Sequence, residues 1–91
     1  MKELIHEAAF SSKDWNNAIL ILIELNRLDE AVALAKRTIE AQQSSSYTHY
    51  LLGKAQKEKG EPAQAKSSLE RAIQADAENF EAKRLLGLLN D

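Results

Sequence analysis

Small and apolar residues recur along this chain at the spacing of an α-helix. After Asp29 they stand at i, i+3, i+4, i+7 and i+8, which places them on one helix face: Ala31, Leu34, Ala35, Thr38 and Ile39. The stripe returns after Pro62 as Ala65, Leu69, Ala72 and Ile73. The pattern predicts an all-α protein with helices near 2–9, 13–26, 29–42, 46–59, 62–75 and 79–90.

The run from Ile19 to Ile23 is the one segment whose composition resembles a buried strand, because it is rich in β-branched residues. Serines before it and Glu24-Leu25-Asn26 after it fit the start and the continuation of a helix. We therefore expect helix here as well, and no strand anywhere in the chain.

Residues that favour helix ends stand between these segments. Asp29 can accept hydrogen bonds from the first free amides of a helix, and Pro62 suits a first turn, where its missing N–H is not needed. Asn26 and Gly60 tolerate the left-handed conformation in which many helices end. Serines are expected to cap two further helices: Ser11, Ser12 and Ser44 to Ser46.

A shift of 34 residues brings the chain into register with itself. The matching positions include Ile5, Ile39 and Ile73, Ala31 and Ala65, Arg37 and Arg71, Leu52 and Leu86, and Gly53 and Gly87. A fixed period of this length is typical of stacked helical hairpins, in which each unit buries its apolar face on its neighbours.

Charge and composition exclude several classes of function. Twelve basic and fourteen acidic side chains give a net charge of -2, so the chain lacks the excess of basic residues expected of a protein that binds nucleic acid. The longest apolar run, Ala18 to Ile23, is far shorter than the ~20 residues that cross a bilayer. We expect a soluble protein without a membrane or nucleic-acid partner; the compartment stays open, with the cytoplasm slightly favoured.

No constellation of residues indicates catalysis or a cofactor. There is no cysteine, and the two histidines, His6 and His49, fall on different predicted helices, whereas a zinc site needs three or four converging donors. A glycine-rich phosphate loop and a Gly-x-Ser-x-Gly motif are both missing. We expect neither a metal, nor a cofactor, nor an enzymatic activity, and we interpret both histidines as surface or packing residues.

The repeat resembles the tetratricopeptide repeat family. Its pattern of large and small residues is met in the first repeat by Trp15, Ala18, Ile19, Asn26, Ala31 and Thr38, and in the second by His49, Leu52, Gly53, Gly60, Ala65 and Ala72. The resemblance implies a right-handed superhelical stack of antiparallel helix hairpins, an α-solenoid, forming a single domain over residues 1–91. We divide it into an N-terminal partial helix or cap at 1–11, repeats at 12–45 and 46–79, and a C-terminal helix at 80–91.

Two departures from the family pattern affect the expected structure. Ile19 replaces a small residue where paired helices approach most closely, so the first hairpin should be splayed or shifted. His49 replaces an aromatic residue. In addition, both ends resemble incomplete repeats, as in an excised piece of a longer solenoid.

In the resembled family the first helix of each hairpin lines a concave groove that holds partner peptides. Carried onto this sequence, the resemblance gives a set of candidate partner-binding residues: Asn16, Leu20, Ile23, Tyr47, Tyr50, Lys54, Lys57, Arg84 and Leu88. Tyrosine and arginine are frequent anchors of protein interfaces. The family's carboxylate clamp for chaperone tails is not reproduced, because Asn16, Leu20 and Glu81 stand at three of its positions.

Two functions follow as hypotheses. The first is an adaptor or scaffold that binds a protein or peptide partner on the concave face. The alternative is an assembly module that forms a homo-oligomer through Leu20 and Ile23 or through the leucine-rich helix at Leu85 to Leu89.

Overall fold

The computed structural model describes residues 12–42 and 44–90, and within them all regular structure is α-helical. The five helices are α1 (Ser12–Glu24), α2 (Leu28–Glu40), α3 (Ser46–Glu58), α4 (Pro62–Ala75) and α5 (Phe80–Asn90). The all-α prediction is confirmed, including helix rather than strand over Ile19 to Ile23. The helix expected near 2–9 and the partial cap at 1–11 lie outside the described residues.

The helices form a stack in which each one packs on the next along the chain. Connections of a few residues join α1 to α2 and α3 to α4, so each of these pairs is an antiparallel hairpin. In addition, α1 packs beside α3 and α3 beside α5, as a repeat stack requires. Helix α3 therefore contacts all four other described helices.

The residues that end α1 and α3 adopt the predicted conformation. Asn26 has φ 62° and Gly60 has φ 85°, both in the left-handed region. The amide of the residue after each turns back to the helix: Arg27 N donates to Leu22 O at 2.8 Å, and Glu61 N to Gln56 O at 2.9 Å.

The capping role expected of Asp29 is wrong. Helix α2 begins one residue earlier, with Arg27 at the cap position and no capping side chain. Asp29 lies in the first turn, and its Oδ1 is 2.6 Å from Lys59 Nζ. This ion pair raises the pKa of Lys59 and ties the α3–α4 connection to the start of α2. Ser45, by contrast, does stand at the cap position of α3.

The core consists of two apolar clusters. The larger lies among α1, α2 and α3 and contains the fully buried Ile19 and Leu51. The smaller joins α4 and α5 around Leu69 and Ala82. Tyr50 packs against both, so one side chain on α3 links the two halves of the stack. Alanines occupy the tight helix crossings, where Ala31, Ala65 and Ala72 are fully buried.

The two hairpins differ in how closely their helices approach. At Gly53, a Cβ atom would stand 2.7 Å from Leu69 Cγ and 3.2 Å from the Ala65 carbonyl oxygen, so α4 lies directly against α3. The equivalent position in the first hairpin holds Ile19, which is fully buried. Helices α1 and α2 pack less extensively than α3 and α4. This agrees with the expectation that the larger side chain of Ile19 keeps the helices of the first hairpin further apart.

Candidate functional site

Helices α1, α3 and α5 lie side by side, and we call the surface that they share the α1–α3–α5 face. It corresponds to the groove surface expected from the sequence. On α3, Tyr47, Tyr50, Lys54 and Lys57 follow one another at three- and four-residue intervals and therefore lie on one side of the helix.

Two tyrosines form the centre of this face. The rings of Tyr47 and Tyr50 stack with centroids 5.6 Å apart and an angle of 23° between their planes. Burial and the nearby carboxylate of Glu81 raise the pKa of both phenols, while Arg84 opposes the shift at Tyr50. The pair thus presents rigid aromatic area with hydroxyl groups that stay protonated at neutral pH.

Helix α5 brings the remaining candidates to the tyrosines. A cavity of about 160 Å³ between α3 and α5 is lined by Tyr50, Glu81, Arg84, Leu85 and Leu88. Leu88 is 60% exposed. The structure therefore places Arg84 and Leu88 next to Tyr50, and an aromatic ring, a cation and an apolar side chain converge on one small depression.

The candidate lysines extend this face along α3. Lys57 is exposed, and Lys54 is partly exposed with its Nζ 3.9 Å from a carboxylate oxygen of Glu58. Leu20 on α1 is partly buried against the larger core cluster and contributes only its outer part to the surface.

Two of the candidate residues are not surface groups. Ile23 is 5% exposed and belongs to the larger core cluster, because α1 turns this side chain inward against α2 and α3. Asn16 is 6% exposed. Its Nδ2 donates to Ser45 Oγ at 3.2 Å, and its Oδ1 accepts from Thr48 Oγ1 at 2.6 Å. The prediction that these two residues face a partner is wrong; they hold α1 against α3.

A second hydrogen-bonded junction holds α5 in place. Asn79 Nδ2 donates to Ser46 Oγ at 2.7 Å, and the same hydroxyl donates to the carbonyl oxygen of Ala72 at 2.7 Å. Asn79 Oδ1 also accepts from Ala82 N at 3.0 Å, which caps α5. The first turn of α3 therefore fixes the position of both neighbouring helices of the face.

A second surface, on the other side of α3, was not predicted from the sequence. His49 lines a cleft between α2 and α4, on the other side of α3, together with Arg71 and Lys36. The sequence does contain a feature that indicates this cleft. A histidine replaces a larger aromatic residue at this repeat position, and a smaller ring leaves space between neighbouring helices.

The described residues contain no group of three or more potential ligand residues that could hold a metal ion. In the same part of the chain, no helix has the length and apolar character that a bilayer crossing requires.

Residues 46–79 match the family model of the tetratricopeptide repeat. These are α3, α4 and the turn to α5, the residues that the 34-residue period assigns to the second repeat. This segment therefore matches a tetratricopeptide repeat, and the arrangement of the five described helices is consistent with a repeat region of that type. Tetratricopeptide repeats generally act as protein–protein interaction modules. Comparisons with curated proteins and with solved structures gave no match.

Proposed function

We propose that the chain is a non-catalytic adaptor or scaffold whose α1–α3–α5 face binds a partner protein or peptide. The observation that carries the proposal is that Tyr50, whose ring stacks on that of Tyr47, lines one depression together with Arg84 and Leu88. Aromatic and arginine side chains contribute a large share of the binding energy in protein interfaces. Lys54, Lys57 and Arg84 favour a partner that carries acidic as well as apolar residues.

The test compares capture of partner proteins by the wild-type chain and by surface variants. Tyr47 is the better aromatic position to change, because Tyr50 also packs against both core clusters. Removal of a good interface anchor costs about 2 kcal/mol or more, so Tyr47→Ala and Arg84→Glu should each weaken capture by about tenfold or more.

Lys66→Glu is the matched control, because Lys66 is an exposed cation on α4, away from the α1–α3–α5 face. All variants must also unfold at the wild-type temperature. Capture that is equally strong in wild type, Tyr47→Ala and Arg84→Glu would refute the proposal.

A second function, self-association through α5, is favoured by one specific observation. Phe80 and Leu88 are 66% and 60% exposed, and beyond the adjacent residues and backbone of its own helix no described atom lies within 4 Å of where a Cβ on Gly87 would be. In the preceding repeat the equivalent Gly53 is covered by α4, whereas none of the described helices covers the corresponding surface of α5. The Leu20 and Ile23 surface, in contrast, is not available to a second copy because Ile23 is buried.

Sedimentation equilibrium distinguishes the two functions. Self-association through α5 predicts a dimer or larger assembly that Leu88→Glu converts to a monomer. A wild-type chain that remains monomeric at high micromolar concentration would exclude this second function and leave the first untouched.

A further inference from the structure

The cleft on the far side of α3 is separate from the α1–α3–α5 face. In the described part of the chain, α2 and α4 both pack on α3 but not on each other, so a gap between them exposes α3 as its floor. His49 and Tyr47 stand two residues apart on α3, and side chains at that spacing point about 200° apart around a helix. A ligand in this α2–α4 cleft therefore does not compete for the residues of the proposed partner face.

Two adjoining cavities make up the α2–α4 cleft: the smaller is lined by α2, α3 and α4, and the larger by α3 and α4 alone. The larger, of about 570 Å³, and the smaller, of about 260 Å³, share His49, Ser67 and Arg71 in their walls. The other polar residues that line them are Lys36, Gln56, Gln64, Ser68, Glu70 and Gln74. Most of these can donate hydrogen bonds, and Glu70 is the one carboxylate among the residues that line the cleft.

Side chains that carry or can take up a positive charge reach the cleft from three helices: Lys36 from α2, His49 from α3 and Arg71 from α4. Within the described residues, neither Lys36 nor Arg71 forms an ion pair. His49 Nδ1 is buried and lacks a hydrogen-bond partner there. Burial, with the charge of Arg71 added, lowers the pKa of His49.

We propose that the α2–α4 cleft binds a phosphoryl group carried by a larger molecule. Donors that approach from three helices require oxygens that point in several directions, which a tetrahedral phosphoryl group offers and a planar carboxylate does not. The cavities are much larger than a single ion, so space remains for the rest of the molecule beside the amide groups of Gln64 and Gln74.

Anion binding here is coupled to protonation of His49. A bound negative charge offsets Arg71 and stabilises the imidazolium, so the pKa of His49 rises on binding and affinity increases as the pH falls. The charged groups that line the cleft with His49 are Lys36, Glu70 and Arg71. Glu70 opposes the ligand, and Lys36 and Arg71 attract it.

The proposal is tested by NMR titration of the full chain with two probes, inorganic phosphate and O-phosphoserine, at constant ionic strength. The reporter is the ring signal of His49, which a His6→Gln variant separates from that of the other histidine. We expect a saturable shift with both probes, tighter binding of O-phosphoserine, and a rise in the pKa of His49 at saturation.

Removing a positive or a negative charge from the cleft should change the affinity for the probe in opposite directions. Arg71→Gln should weaken binding by about threefold, as expected for one exposed ion pair, and Glu70→Gln should strengthen it by a similar factor. Lys66→Gln, on the same helix but outside the cleft lining, is the matched control and should leave affinity unchanged. All three positions are exposed, so none of the changes is expected to affect folding.

The outcomes are separable. Equal affinity for phosphate and O-phosphoserine would overturn the assignment to a larger molecule. The absence of a saturable shift with either probe, or identical binding in Arg71→Gln and Lys66→Gln, would overturn the site itself.

Discussion

Gly53 and Gly87 occupy the same position in successive repeats, and we predict that the same substitution has opposite effects at the two sites. At Gly53 an added Cβ would stand 2.7 Å from Leu69 Cγ and 2.9 Å from Leu69 Cδ2. Leu69 is fully buried, and the Ala65 carbonyl oxygen limits movement on the other side at 3.2 Å. At Gly87 nothing lies within 4 Å.

The magnitudes follow from these distances. Overpacking a core by a methyl group costs about 1–3 kcal/mol, and alanine recovers about 1 kcal/mol of helix propensity over glycine. Gly53→Ala should therefore destabilise the fold by up to about 2 kcal/mol, since the 2.7 Å approach places the cost toward the upper end of that range. Gly87→Ala gains the propensity without the clash, and near the end of a helix it should stabilise by about 0.5 kcal/mol.

Urea unfolding followed by far-ultraviolet circular dichroism, with the fluorescence of the single Trp15 as a second probe, measures both changes. A Leu69→Ala background adds a direct test, because the cost of Gly53→Ala should largely disappear once the leucine side chain is removed. The reasoning is refuted if Gly53→Ala and Gly87→Ala shift the unfolding midpoint in the same direction, or if the cost at Gly53 is unchanged in that background.

Three further predictions concern the polar groups of the structure. Thr48→Val leaves the buried amide of Asn16 without its 2.6 Å partner and should lower the free energy of unfolding by about 1–3 kcal/mol in chemical denaturation. Because the pKa of His49 is lowered from 6.5, the unfolded chain binds more protons just below that pH, so stability should fall as the pH drops through this window. His49→Gln should remove that part of the pH dependence of the melting temperature, and an unchanged dependence would contradict the assignment. Glu81→Gln should lower the pKa of Tyr47. Because the chain has only two tyrosines, an absorbance titration follows the ionisation of Tyr47 and Tyr50 alone. An unaltered titration curve would show that Glu81 does not affect the pKa of either phenol.

The architecture was accessible from the sequence because the signals are local and repeated. Apolar spacing predicts α2 and α4, and Asn26 and Gly60 mark helix ends through a backbone conformation that few residues tolerate. The error at Asp29 has a physical reason. An acidic side chain near the start of a helix is favoured both at the cap position and in the first turn. Asp29 lies in the first turn, where it pairs with Lys59, a residue 30 positions away that local sequence does not reveal.

The candidate surface was only partly predictable. Tyr47, Tyr50, Arg84 and Leu88 lie together because the repeat register fixes their side of the helix. The prediction that Asn16 faces a partner is wrong because its burial depends on a distant segment of the chain. Its hydrogen-bond partners Ser45 and Thr48 are 29 and 32 residues away in the sequence. The α2–α4 cleft likewise arises from three helices at once, and no single segment carries its pattern.

Helix α3 contacts every other described helix, and Tyr50 joins the two core clusters across it. The two remaining pairs, α1 with α2 and α4 with α5, do not contact each other, so α3 alone connects them among the described helices. Anyone transplanting part of this array into another protein, or dividing it into complementing fragments, must therefore keep the segment from Ser45 to Lys59 intact and leave it attached to both sides.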